Sequence, residues 1–126
     1  MTAASKRPIF LNLLEIRLPI GGVMSILHRV SGAVMFLAIP LMVYLLDLSL
    51  SGPEGFAAAD ALVHSWFGVL VVFALMWSLL HHLLAGIRYL LIDVHLGVEK
   101  PVFRQTAWAV TVAAPPLALI LTGVVL

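Results

Sequence analysis

The chain contains no cysteine. That excludes disulfides, thiolate ligands and cysteine-held iron–sulfur clusters, so any metal chemistry must come mainly from its five histidines. Charge is scarce as well: Asp, Glu, Lys and Arg make up 10% of the 126 residues, against 63% hydrophobic residues. A soluble domain carries roughly a quarter charged residues, so this composition excludes a water-soluble globule. The basic residues form no run, and a net charge of +1 leaves no footprint for nucleic acid. Repeats and low-complexity tracts are absent. The basic start is not followed by a short apolar region with a small-residue cleavage site, so no cleaved signal peptide is expected. What these absences leave is one small integral membrane domain over residues 1–126.

What is present is three long uncharged stretches. From Arg29 to Asp47 is eighteen residues, about 27 Å of helix at about 1.5 Å per residue. That nearly matches a hydrocarbon core of roughly 30 Å, so the two charges bracket a span. Pro40 is expected to bend it. After a turn-rich Ser51-Gly52-Pro53-Glu54-Gly55, a second helix is expected from about Ala57 to Ile92. The third stretch, Ala107 to Leu126, has no charge. Pro115-Pro116 should break its ladder, with Thr111 placed to satisfy freed backbone groups. The predicted fold is an all-α membrane protein with three transmembrane helices, over about 30–50, 61–92 and 107–126. Residues 1–29 form an N-terminal segment, cytoplasmic or interfacial. In it, Arg7 to Pro19 mixes apolar and charged residues and could lie on the membrane surface, dock on a soluble partner, or pack as an ordered leader on its own bundle.

Every basic residue falls before the first span or around the connection between the second and third. The first connection carries Asp47, Glu54 and Asp60 and no Lys or Arg. The positive-inside rule then predicts a cytoplasmic N-terminus and a C-terminus across the membrane.

Ionisable groups inside a span are functional candidates by default. The stretch His81-His82-Leu83-Leu84-Ala85-Gly86-Ile87-Arg88-Tyr89-Leu90-Leu91-Ile92-Asp93 ends a long apolar run yet holds two histidines. His82 shares a helical face with Ser78, Ala85, Gly86 and Tyr89. The small residues around it leave room for a flat group, and neutral imidazole is a good iron ligand, so a haem is the working expectation. The competing reading is a histidine hydrogen-bonded to a neighbouring helix. His81 points about 100° away, toward Trp77, Ala85 and Arg88, and is the other candidate ligand. His64 falls at the opposite membrane surface and His95 in a polar connection. His28 and Arg29 sit at the mouth of span one, shallower than His82. Ser25 and Arg29 are four apart, a cradle for a polar oxygen such as a haem propionate or quinone carbonyl. The plain alternative for Arg29 is a snorkelling anchor. No second histidine lies at the depth of His82, so either the haem is five-coordinate or a partner polypeptide supplies the other side. Three spans are few to enclose a porphyrin, which makes a partner subunit the more economical expectation.

Three elements carry a family resemblance: Arg7-Pro8, then Ser25-Ile26-Leu27-His28-Arg29-Val30-Ser31-Gly32, then His82-x-x-x-Gly86-Ile87-Arg88 ending in Asp93. Together with the Ser-Pro-Glu-Gly-like loop and the three spans, the chain resembles the cytochrome b membrane-anchor subunit of succinate dehydrogenase (respiratory complex II) over nearly its whole length. The resemblance implies a complex in the bacterial inner membrane in which a flavoprotein subunit oxidises succinate and an iron–sulfur subunit passes electrons on. Two small membrane-anchor subunits bind haem b and quinone. It implies His82 as the axial haem ligand, with the opposite ligand from the second anchor subunit. Ser25 and Arg29 become quinone-site residues, and His28 and Arg29 propionate neighbours. Such a subunit catalyses nothing alone. Tyr89 stands where the family usually has histidine. The nearest alternative is the anchor of a quinol:fumarate reductase; a haem-free helix bundle is the rival from another class.

Overall fold

The computed structural model describes residues 18–126, and these are helical throughout apart from short turns. Four helices follow in order: α1 Ile20–Leu50, α2 Pro53–Val63, α3 Trp66–Asp93 and α4 Lys100–Val125. Of the N-terminal segment expected over residues 1–29, residues 1–17, Arg7-Pro8 included, lie outside the described residues, while Ile20 to Arg29 already belong to α1. α1, α3 and α4 are each long and apolar enough to cross a membrane, as expected for an all-α protein with three spans. At 31, 28 and 26 residues, they extend about 39–46 Å. That exceeds the hydrocarbon thickness, so their ends project into the headgroup layers.

The bundle is packed inside out relative to a soluble domain. Apart from Met24, His81 and Arg88, its buried residues among those described are small: Ala38, Ala59, Ala85, Ala107, Ala114, Ala118, Ser31, Ser78 and Thr122. Phe36, Leu37, Leu119 and Ile120 point outward. Lipid tails are as apolar as leucine, so burying leucine gains nothing here, whereas small residues let backbones approach and gain dispersion contacts. Met24, Ala85 and Ala107 bring α1, α3 and α4 together, with Ile20, Tyr89 and Val110 around them. Close approach is clearest at Gly21, where a Cβ would stand 2.8 Å from the Phe103 ring. The start of α1, the end of α3 and the start of α4 thus share one end of the bundle. His64 and Leu126 meet at the other, 3.4 Å apart.

The expected single helix from Ala57 to Ile92 is two helices. Its first part, with Pro53 in the first turn, forms α2. The chain then turns at His64–Ser65, and the Ser65 hydroxyl accepts from Gly68 N–H at 3.0 Å to start α3. Gly68 is required at this corner, because a Cβ would collide with the Leu62 and Val63 carbonyls. Pro53–Gly55 therefore belong to a helix rather than to the loop, which shrinks to Ser51-Gly52. α4 also begins earlier than expected, at Lys100, and runs through Pro115-Pro116 without a break. Thr111 does not serve the carbonyls those prolines release. Its hydroxyl donates to Ala107 O at 2.8 Å, one turn back.

Candidate functional site

His28, Ser31 and His82 meet between α1 and α3. His82 reaches from α3 to α1. Its Nδ1 lies 3.0 Å from the His28 carbonyl oxygen and 3.3 Å from Ser31 Oγ. The His28 ring lies flat against that of His82, centroids 4.1 Å apart and 16° from parallel. Tyr89 meets His28 edge-on at 5.3 Å. Gly32 makes room for the arrangement, since a Cβ there would stand 3.0 Å from His82 Cε1.

The two neighbouring histidines of α3 have opposite environments. His81 is fully buried, both ring nitrogens are sealed without a hydrogen-bond partner among the described residues, and Trp77 stacks on it at 5.5 Å. His82 is half-buried. Its Nδ1 is satisfied by α1, while Nε2 has no partner among the described residues and is not walled off as the His81 nitrogens are. An imidazole bound through one nitrogen to a backbone carbonyl, with the other nitrogen open, is how a metal-ligating histidine is oriented. These residues fit a haem.

Two expectations about this region need correcting. Ser78 and Ala85 offer no platform for a flat ligand beside His82, because both are fully buried and Ala85 packs on Met24 and Ala107. The buried face of α3 is Ser78, His81, Ala85 and Arg88; His82 leans off it toward α1. Nor does depth keep His28 apart from His82: their rings touch, with His28 on the side of Gly86 and Tyr89. His28 still cannot bracket an iron with His82. Rings stacked this closely leave no space for a cofactor between them. Arg29 and Ser25 meet through the backbone. Arg29 Nε donates to the Ser25 backbone carbonyl at 3.3 Å, with the guanidinium exposed and Ser25 half-buried.

His28 Nε2 and the Tyr89 hydroxyl are buried without partners among the described residues. A Cβ on Gly86 would lie 3.8 Å from His28 Nε2, so the glycine backbone faces His28. Arg88 is turned inward, 5% exposed. Its Nε donates to Thr106 Oγ1 at 3.0 Å and its Nη2 to the Phe103 carbonyl at 2.9 Å, while the guanidinium lies 4.3 Å over the Phe103 ring. It ties α3 to α4. His64 stands at the opposite end of α3, as expected, and His95 is exposed in the α3–α4 turn with φ 65°.

In the sequence Ser31 and Gly32 stand only as members of the Ser25–Gly32 motif, with no role of their own. Their signal was two small residues one helical turn beyond His28, where a partner side chain could approach.

Residues 3–124 match the family described as the succinate dehydrogenase/fumarate reductase transmembrane subunit. The chain belongs to that family. It is 37% identical over 121 residues to the succinate dehydrogenase cytochrome b556 subunit of Coxiella burnetii, covering 95% of this chain and 96% of that one. The protein of the same name from Paracoccus denitrificans is 33% identical over 114 residues, covering 90% of this chain and 88% of its own. Its counterpart in Rickettsia prowazekii is 30% identical over 117 residues, covering 93% and 91%. The family resemblance read from the three motifs is thereby established, and with it a membrane protein of the cytochrome b anchor type.

Proposed function

We propose that this chain is the haem b-binding anchor of a succinate dehydrogenase in the bacterial inner membrane, and that it helps form the site where quinone is reduced. The observation that carries the reading is His82, held through Nδ1 by the His28 carbonyl with Nε2 open. His82 would hold the iron. When bound, the haem supplies a one-electron acceptor within the membrane. The opposite ligand comes from a second small anchor subunit, since His28 is stacked where it cannot serve and His81 is sealed behind Trp77. Iron–sulfur and flavoprotein subunits complete the assembly on the cytoplasmic side, where the N-terminus lies; reporter fusions at the two chain ends should give opposite signals.

Arg29 and Ser25 serve the quinone. The Arg29 guanidinium is tethered through Nε, and among the described residues its terminal N–H groups have no partner, so they can meet a carbonyl oxygen. Reduction to quinol takes two electrons and two protons, and negative charge develops on that oxygen before protonation. A guanidinium placed beforehand stabilises it. His28 and Arg29, adjacent in sequence at this end of α1, are the residues offered to the haem propionates.

The same family includes anchors of fumarate reductases, but the relatives named above are succinate dehydrogenase subunits, which favours succinate oxidation. The test is to purify the chain with its natural partners and record reduced-minus-oxidised spectra. A low-spin, six-coordinate haem that disappears in His82→Leu is expected. A complex without haem absorption would leave only a structural helix bundle.

A further inference from the structure

His82 Nδ1 has two acceptors within reach, and they are not independent. Ser31 Oγ donates its own proton to the His28 carbonyl at 2.8 Å. That commits the Ser31 hydroxyl as a donor toward α1, so toward His82 it can only accept. The carbonyl also only accepts. The contacts of 3.0 Å and 3.3 Å therefore require a hydrogen on Nδ1, shared between the two oxygens, and they leave the lone pair on Nε2. Ser31 is fully buried, so water cannot compete for this hydrogen at the Ser31 side. Gly32 completes the seat: a Cβ there would stand 3.3 Å from Nδ1 and 3.0 Å from Cε1, enough to push the ring off its acceptors.

We propose that Ser31, acting with the His28 carbonyl and the bare backbone of Gly32, is a positioning residue that fixes the tautomer of His82 and sets the donor strength of Nε2. The proposal rests on His82 being the haem ligand, and it assigns a task to residues that touch neither iron nor quinone. A hydrogen bond that draws the Nδ1 proton outward makes the imidazole more basic at Nε2. A more basic ligand favours the higher charge on iron, so the intact seat holds the haem potential down.

The two variants should differ in size. In Ser31→Ala the carbonyl recovers the lone pair the hydroxyl occupied, so the loss is partial. Gly32→Ala moves the ring away from both oxygens. Redox titration of the haem in the purified complex should show a potential raised by the equivalent of about threefold for Ser31→Ala. For Gly32→Ala the expected equivalent is about tenfold, which is about 59 mV for a one-electron couple. Haem content and succinate oxidation with an artificial acceptor should be unchanged for Ser31→Ala, and Ser31→Thr, which keeps the hydroxyl, should restore the native potential. An unchanged or lowered potential in Ser31→Ala, or a Ser31→Thr variant that behaves like it, overturns the proposal. His82→Leu separates this from the reading beneath it: if the low-spin spectrum survives that substitution, the ligand assignment itself is wrong.

Discussion

His28 and His82 lie face to face, 4.1 Å apart, although fifty-four residues separate them in sequence. The contact that orients His82 comes from the His28 backbone, not its ring. The two contributions of His28 can therefore be separated by substitution.

His28→Ala keeps the carbonyl and removes the stacked ring. It should retain a low-spin haem with a modestly altered spectrum, because Nδ1 of His82 keeps its acceptor. His81→Leu should also leave the spectrum intact. It exchanges a buried imidazole whose two nitrogens have no partner among the described residues for an apolar side chain, and removing unsatisfied polar groups is close to neutral or stabilising. Thermal unfolding of the complex in detergent should shift by no more than about 1 kcal/mol equivalent. If His81→Leu abolishes the low-spin signal, the wrong imidazole has been assigned to the iron.

Arg29→Leu should depress succinate:quinone activity about a hundredfold, the usual scale for losing one donor to a developing oxyanion, while reduction of an artificial acceptor persists. Ser25→Ala should act in the same direction and less strongly. The tether of Arg29 is the Ser25 carbonyl, which that substitution preserves. Normal quinone turnover in Arg29→Leu would sink the assignment.

The three spans could be read in advance because charges bracket uncharged stretches, and lipid enforces that boundary. His82 stood out for the same reason, as an ionisable group where hydrocarbon makes one expensive. The break at Ser65 was less visible, because α2 and α3 are both apolar and only Ser65 with Gly68 marks the corner. Which side of α3 meets its neighbours was the harder question. In water, hydrophobic periodicity separates inside from outside. In lipid both sides are apolar, so Ser78 and Ala85 could be taken for a ligand platform when they are the helix-packing face. Counting residues from Arg88 likewise gave a depth along α3 but not the offset of α3 against α1. The contact between His28 and His82 depends on that offset.

Arg88 should respond to substitution against the usual order. Its guanidinium is buried and bonds to Thr106 and Phe103, with Nη1 left unpartnered among the described residues. Arg88→Lys keeps the desolvated charge but cannot reproduce the fork or the flat stacking on Phe103. Arg88→Met removes both the bonds and the buried charge, and Thr106 Oγ1 retains Val102 O as a partner. We expect Arg88→Lys to destabilise the folded complex by about 2 kcal/mol and Arg88→Met by about 1 kcal/mol or less. Chemical or thermal unfolding in detergent decides it, and a lysine variant as stable as the native protein would show that the fork is not needed.

His64 offers a pH dependence at the far end of the bundle. Its imidazole is raised above the usual histidine value by hydrogen bonding to the Asp60 backbone carbonyl, then by the Asp60 carboxylate, with the Leu126 backbone oxygen adding to it. Nδ1 lies 3.0 Å from Asp60 O and 3.2 Å from Asp60 Oδ1. A group whose value is higher in the folded state binds its proton more tightly there. The stabilisation is therefore fully present below the unfolded value and is lost as pH rises through the folded one. The site is open to solvent, so the effect should be small and weakened by salt. Melting temperatures of the native complex and His64→Gln, measured from pH 5 to 8, should differ most at the acid end and converge toward the alkaline end. A difference that grows with rising pH would reverse the sign and exclude the protonated His64–Asp60 pair as its source.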